Sequence, residues 1–397
     1  SATPERMRIA VVIESFTRSG GGNERSTDQV TAELVARGHD VTLITGYADA
    51  VDRPAGVTTL AMSGRKSSSA RRLWAFSRWA KKRLTEVPFD TSLSMTMAVA
   101  ARVVQPRGGT VRETLARNVA RQPDAWRRGL KAITHAVEPK QRLLLRLERQ
   151  TLADPAVYRV AALSRYVVAQ LERHYGFPAE RTVVIPNAAV VPQADTAQRE
   201  TWRNSVRETH GISADTLVLL LPARNPALKG YPTLLRALGI LRGRNVEAVV
   251  LLAGGFGERQ RVLAARRGLA ERVRVLGPVS KMSPLYAAAD VTVLPTWYDP
   301  SSKVVLESLM SSTPAISTIY NGASDHLEPE GGPPRGGVLD DPGDPRQLAD
   351  AIQRLADPAF RATCAAACAG LEDQLSMARH VDRLERVLVE SAKADRQ

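Results

Sequence analysis

Short apolar runs of strand length alternate with longer amphipathic stretches along most of this chain. Arg8-Ile-Ala-Val-Val-Ile13 reads as a buried strand, Ser19-Gly-Gly-Gly-Asn23 as a tight turn, and residues 24–36 as a helix closed by Gly38. Residues 41–45 supply the next strand and complete a βαβ unit with a glycine-rich first turn. Residues 157–163 and 182–185 are further short apolar strands, after which Pro186-Asn-Ala-Ala-Val-Val-Pro192 breaks the rhythm. The second half predicts strands at 217–221, 248–253, 273–276, 291–294 and 315–318, with residues 331–337 as a loop before a short last strand. Such alternation predicts parallel sheets covered on both faces. A chain of 397 residues is too long for one ordinary core, so the reading is two α/β domains, 1–192 and 193–374, followed by a C-terminal segment, 375–397.

Two basic stretches complicate the first half. From Ser67 to Leu84, helical spacing puts Leu73, Phe76, Ala80 and Leu84 on one face and Arg71, Arg78 and Lys82 on another, with Trp74 and Trp79 flanking the apolar side. Such a helix either covers a sheet with a solvated basic side, the preferred reading, or lies in a bilayer interface. Residues 107–131 are less periodic and rich in arginine, and read as a loop with helical turns beside an acceptor site.

Charge sharpens this picture. Residues 1–190 hold 30 Lys and Arg against 17 Asp and Glu, and residues 191–397 hold 25 against 24. The excess concentrates between Arg53 and Lys131, where 17 basic residues face 4 acidic ones, so the expected partner of the first half is anionic: a membrane surface, a phosphorylated acceptor or nucleic acid. No DNA- or RNA-binding motif accompanies the charge, and the nucleic-acid reading ranks last. No run of about 18 apolar residues is present. The first residues, SATPERM, do not resemble a secretory signal, so a cytoplasmic protein, peripheral at the inner membrane face through residues 67–131, is expected. Cys364 and Cys368 stand four apart in an alanine-rich helical stretch and read as reduced packing residues.

The densest chemistry lies in Thr296–Pro314, TWYDPSSKVVLESLMSSTP, where Asp299 and Glu307 sit eight residues apart across a strand-to-helix junction. Ser301 or Ser302 reads as the N-cap, and the amides around Ser301, Ser302 and Lys303 would attract phosphate. Glu307 interrupts an apolar helix face; it either meets a ligand hydroxyl or is an acid favoured near a helix N-terminus. Upstream, Arg224 and Lys229-Gly230 follow another strand. Strand ends converge on one edge of such a sheet, which would bring both cations beside the acids. Two cations suit a diphosphate, where they would stabilise charge on a departing bridging oxygen; capping or surface roles are the ordinary alternative. Gly20, Gly21 and Gly22 permit close approach of a phosphate or sugar, although their spacing is not G-x-G-x-x-G.

Taken in order, Pro186-Asn187, Arg224 to Lys229-Gly230, Gly254-Gly255, Tyr286-Ala-Ala-Ala-Asp290, Val293-Leu-Pro295, Asp299 to Glu307 and Gly322-Ala323 resemble the retaining GT-B glycosyltransferases of family 4, over about residues 8 to 355. The WYDPSS form and the opening Gly20-Gly-Gly22 with Glu24-Arg25 are most similar to the lipopolysaccharide core glucosyltransferase type. The resemblance implies two Rossmann-like domains facing each other across a cleft, with the C-terminal helix crossing back to the first. It assigns Arg224 and Lys229 to the diphosphate, Glu307 to ribose and Asp299 to the donor sugar, making Arg224, Lys229 and Asp299 the catalytic candidates. It implies no metal and no cofactor.

Departures are Asp299 for the commoner Glu, Ser302 for Gly, Ser311-Ser312 for Ala-Gly, and Arg107 where relatives carry a first-domain His. An arginine cannot act as general base at neutral pH, so the acceptor proton would pass to the leaving phosphate. Arg107 and Glu24 are the acceptor-side candidates. The expected activity is transfer of a hexose, with UDP-glucose the best donor guess, to a lipid-linked or lipopolysaccharide-like acceptor. A nucleotide-sugar epimerase or an inactive scaffold of the same fold is the alternative.

Overall fold

The computed structural model describes residues 6–17, 21–48, 55–64 and 69–394. Among them, thirteen strands form two sheets in which every neighbouring pair is parallel. The first contains β1 (Arg8–Ile13), β2 (Asp40–Thr45), β3 (Thr58–Ala61), β4 (Thr91–Ser94), β5 (Val103–Val104), β6 (Arg159–Ala162) and β7 (Thr182–Val184), in the order 3-2-1-4-5-6-7. The second contains β8 (Leu217–Ala223), β9 (Ala248–Gly254), β10 (Val273–Gly277), β11 (Val291–Val293), β12 (Ala315–Thr318) and β13 (Gly336–Leu339), in the order 10-9-8-11-12-13. Both follow the doubly wound pattern, in which strand order reverses beside the first strand. In open sheets of this kind the crevice outside the carboxyl ends of the strands at such a reversal is where ligands generally bind.

Two compact units result: residues 1–186 together with 377–397, and residues 187–376. The division therefore falls after Pro186, a few residues before the boundary at 192 expected from composition, and the last segment begins at Met377.

In the second unit the strands are what their apolar runs predict. All seven positions of β8 are buried, with helices Tyr231–Gly243 and Pro345–Ala356 packed on one side and the Leu285–Tyr286 segment on the other. The first unit is less regular. Ile9, Val11 and Ile13 of β1 face Val30 and Leu34, while Ala10 and Val12 face Leu73, Phe76 and Ala80 of helix Ala70–Glu86. That basic helix is thus a sheet-covering one: Trp79 packs partly against the core and Trp74 remains exposed. Residues 107–131 differ from the expected loop, forming helix Val111–Ala120 and most of helix Ala125–Val137.

The C-terminal helix Met377–Ala394 completes the first unit by laying Val381, Leu384 and Leu388 on the β1 side of its sheet. A polar clasp fixes its position. His39 Nδ1 accepts the Met7 amide, which leaves Nε2 to donate to Glu385 Oε1 at 2.8 Å. Arg37 donates to Glu385 Oε2 at 2.8 Å and to Asp382 at 2.6 Å. Removing Glu385 leaves a buried imidazole N–H without its acceptor and takes one carboxylate from the partly buried Arg37, which keeps Asp382 and Glu33, so Glu385→Ala should lower the stability of the first unit by about 2–4 kcal/mol. Urea denaturation of the full chain would measure this, and a loss under about 0.5 kcal/mol would show that the clasp is ornamental.

Candidate functional site

The reversal between β8 and β11 places two loops side by side at the carboxyl edge of the second sheet. After β8 the chain passes through exposed Arg224, and Asn225 Oδ1 accepts the Leu228 amide at 3.1 Å to close a turn. Leu228 O then accepts the Trp297 amide at 2.9 Å and the Thr296 hydroxyl at 3.3 Å, tying this turn to the loop after β11. Gly230, at φ +80°, opens helix Tyr231–Gly243; a Cβ there would stand 2.1 Å from Pro295 O, so only glycine allows the two loops to approach. Gly255 plays the same part on the other side, where a Cβ would lie 2.2 Å from Arg224 O.

This contact delivers Lys229 to Asp299, with Nζ 2.5 Å from Oδ2 and both side chains mostly covered. Asp299 is itself held on three sides. Its backbone bridges to Asn321 through Asp299 N to Tyr320 O and Gly322 N to Asp299 O, each 2.9 Å, and its Oδ1 accepts the Ser301 amide at 3.1 Å. Asn321 Oδ1 accepts the amides of Ser302 and Ala323, and Asn187 Nδ2 donates to Ser301 O at 3.1 Å.

Ser301 and Ser302 are buried and join this network through their backbone amides. Ser302 occupies the N-cap of helix Lys303–Met310, as read from sequence, but its side chain makes no capping hydrogen bond, which leaves the first-turn amides uncapped by it. Lys303 is half-buried at the start of this helix.

Glu307, one turn further along, has a protein partner that spacing did not reveal: Tyr286 Oη donates to Oε2 at 2.9 Å. Burial, with the Glu307 charge beside it, pushes the Tyr286 phenol well above its ordinary value of 10, so it remains a donor throughout the neutral range. Asp290, at the end of the same sequence motif, is structural: it accepts from Arg203, Arg207 and the Val218 amide and so anchors the start of β8. Tyr286, Asn187 and Asn321 are site residues that sequence reasoning did not single out. Tyr286 and Asn187 stand inside family motifs, whereas Asn321 gives no signal beyond preceding Gly322.

The first-unit candidates are a separate group. Gly20 lies outside the described residues. Gly21 is the N-cap of helix Gly22–Ala36, and Glu24 Oε2 accepts its amide at 2.5 Å while Oε1 accepts the hydroxyls of Ser15 and Thr17. Glu24 therefore organises the turn after β1. Arg107, in the loop after β5, is buried and donates to Gln105 Oε1 at 2.9 Å; desolvation lowers its pKa to about 10, so it is still a cation at neutral pH. Beside the first sheet's own reversal, Thr96 Oγ1 donates to Glu14 at 2.8 Å, a carboxylate that sequence reasoning does not mark.

Comparison with known proteins agrees with this layout. The model for "Glycosyltransferase Family 4" matches residues 20–190, and that for "Glycosyl transferases group 1" matches residues 216–357. The chain belongs to glycosyltransferase family 4. Its two parallel-sheet domains are of the GT-B class, as in the crystal structure of WaaG, a glycosyltransferase involved in lipopolysaccharide biosynthesis. That structure matches with TM-score 0.74 and 18% identity, over 96% of this chain and 99% of that one.

By sequence, the Escherichia coli (strain K12) lipopolysaccharide glucosyltransferase WaaG is 20% identical over 77% of this chain and 79% of its own. A D-inositol 3-phosphate glycosyltransferase of Corynebacterium jeikeium (strain K411) is 30% identical over 55% of this chain. The matched segment spans about half, 52%, of that relative's length. The Anabaena protein Alr3699/HepE, solved in complex with UDP and glucose, matches with TM-score 0.67 and 18% identity over 97% of this chain and 100% of that one.

Because the family's second-domain motifs meet through the Gly230–Pro295 approach, Gly230→Ala should be felt at once. A methyl group against a backbone carbonyl, at positive φ, should cost at least about 2 kcal/mol. Chemical denaturation of the full chain reads this, and an unchanged midpoint would refute the loop contact.

Proposed function

We propose that this chain is a retaining hexosyltransferase that moves glucose from UDP-glucose to a lipid-linked or lipopolysaccharide-like acceptor at the cytoplasmic face of the inner membrane. The observation that carries the reading is Lys229 held against Asp299, two residues before the buried Ser301–Ser302 turn into helix Lys303–Met310, with exposed Arg224 in the same loop as Lys229. Cations and helix amides are together the groups that bind a diphosphate. The UDP and glucose bound by the Anabaena neighbour and the lipopolysaccharide glucosyltransferase activity of the Escherichia coli relative support the choice of donor and acceptor class.

In this reading the bond from the anomeric carbon to the bridging phosphate oxygen breaks while a bond from that carbon to the acceptor hydroxyl oxygen forms on the same face. The hydroxyl proton ends on the departing diphosphate. Negative charge grows on that leaving oxygen, and Arg224 and Lys229 offset it most in a site that excludes water. They take the part a metal ion plays elsewhere, and no cofactor enters.

Asp299 keeps Lys229 in place and, having up to four acceptor sites on its carboxylate, also receives sugar hydroxyls. Glu307, oriented by Tyr286, accepts from the ribose. Arg107 contributes charge and no proton transfer.

Turnover of radiolabelled UDP-glucose tests the scheme. Lys229→Ala should lower kcat by about 100-fold or more, the usual cost of removing one group that meets a developing anion. Glu307→Ala should act mainly by raising the donor KM. Wild-type turnover in both variants would place the site elsewhere. In a thermal-shift series, UDP-glucose should raise Tm more than other nucleotide sugars, since the preferred donor stabilises the folded state by mass action.

A further inference from the structure

We propose that helix Ala125–Val137 is a membrane-docking element that seats its apolar side in the headgroup layer of an anionic bilayer. The inference rests on the membrane location in the proposed function and gives that location a surface. Trp126, Leu130, Ile133 and Val137 follow a spacing of four, three and four residues, and so fall in one stripe along the helix. In a soluble fold such a stripe faces the core. Here it faces solvent: the four residues are 65%, 57%, 61% and 64% exposed.

The side that turns inward is polar, and His135 is the helix's only buried residue. The helix packs on its neighbours Val111–Ala120 and Pro139–Ala153 without using the stripe. An apolar stripe this long on the surface of a protein otherwise well packed marks a contact made with something else.

Charge selects the occupant. Arg117, Arg121, Arg127, Arg128 and Lys131 stand on or just before this helix against Asp124 alone, and Arg127 lies 5.1 Å from the Trp126 ring centroid. Basic residues beside an apolar stripe opened by tryptophan match a layer of anionic headgroups over acyl chains. A second copy of the chain would set two such basic surfaces against each other. The helix Ala70–Glu86, with comparable charge, has no such stripe to offer because Leu73, Phe76 and Ala80 are buried in the core.

Cosedimentation with vesicles tests this, using phosphatidylcholine alone and phosphatidylcholine with phosphatidylglycerol, neither containing a sugar acceptor. Wild type should partition onto the anionic vesicles. The double variant Leu130→Asp with Ile133→Asp should bind at least about 10-fold more weakly, and Arg127→Ala with Arg128→Ala should bind more weakly and with a shallower salt dependence. Because the Leu130 and Ile133 side chains are exposed, circular dichroism and the thermal midpoint of the first double variant should match wild type.

Absence of wild-type partitioning would overturn the proposal, as would equal partitioning of the aspartate variant. A wild-type dimer that the same substitutions convert to monomer, without vesicle binding, would also overturn it and assign the stripe to self-association. UDP-glucose turnover without vesicles is read separately, so loss of membrane binding and failure of the transferase assignment are distinct results.

Discussion

The approach of Gly230 to the carbonyl of Pro295 is the constraint on which the rest of the second-unit site depends. Parallel strands whose order reverses leave two loops next to each other, but adjacency of strands does not by itself bring side chains of different loops within about 3 Å. Here the β8 loop presents a backbone carbonyl, Leu228 O, to the amide of Trp297, and glycine removes the only atom that would block the contact. Lys229 then has one place to go. Asp299, fixed through Asn321 and the Ser301 amide, meets it there with little freedom to lose on binding a ligand. The same geometry leaves Arg224 outside the pair and exposed. One cation is thus anchored and the other can move to a ligand, an arrangement suited to a group whose charge shifts during reaction.

How much of this is legible in the sequence depends on where the physics is local. β8 is legible because all seven of its residues are buried on both faces, and LVLLLPA states that directly. β4, TSLS, is just as buried but carries three hydroxyls. Its burial is tolerable because each hydroxyl finds a partner from elsewhere in the chain or its own turn: Thr91 with Ser391, Ser92 with the Arg102 amide, and Ser94 with Thr96 O. Only one of those partners lies within two residues, so no local pattern could announce a strand. Likewise Lys229 and Asp299 are legible as loop residues at strand ends, whereas Asn321 works through a backbone bridge that spacing does not encode.

Glu307 illustrates a different limit. A carboxylate on an apolar helix face predicts a partner without naming it, and a ligand hydroxyl and a helix dipole are both adequate answers. Tyr286 provides a third, twenty-one residues earlier, and burial together with the Glu307 charge keeps its phenol protonated through the neutral range. A glutamate already oriented by a phenol is better prepared to receive a ligand hydroxyl than one that must be ordered by it. Asp290 and Glu24 show the converse: acids in motif positions whose carboxylates are spent on β8 and on the turn after β1.

The two basic helices of the first unit separate periodicity from orientation. Residues 70–86 and 125–137 both carry an apolar stripe and basic residues, and a helical wheel draws the two alike, one face apolar and one charged. Which face turns inward is decided by what the neighbouring elements offer. The first helix lies over Ala10, Val12 and Ile44, an apolar sheet face that its stripe must cover. The second packs chiefly on two other helices, and it is His135 that is buried there. With the polar side accommodated by the fold, the apolar side is left to the surroundings. In the docking proposed for this helix, the basic first half has a specific consequence: the charge would draw the chain to an anionic layer, and the outward stripe would be the part that inserts.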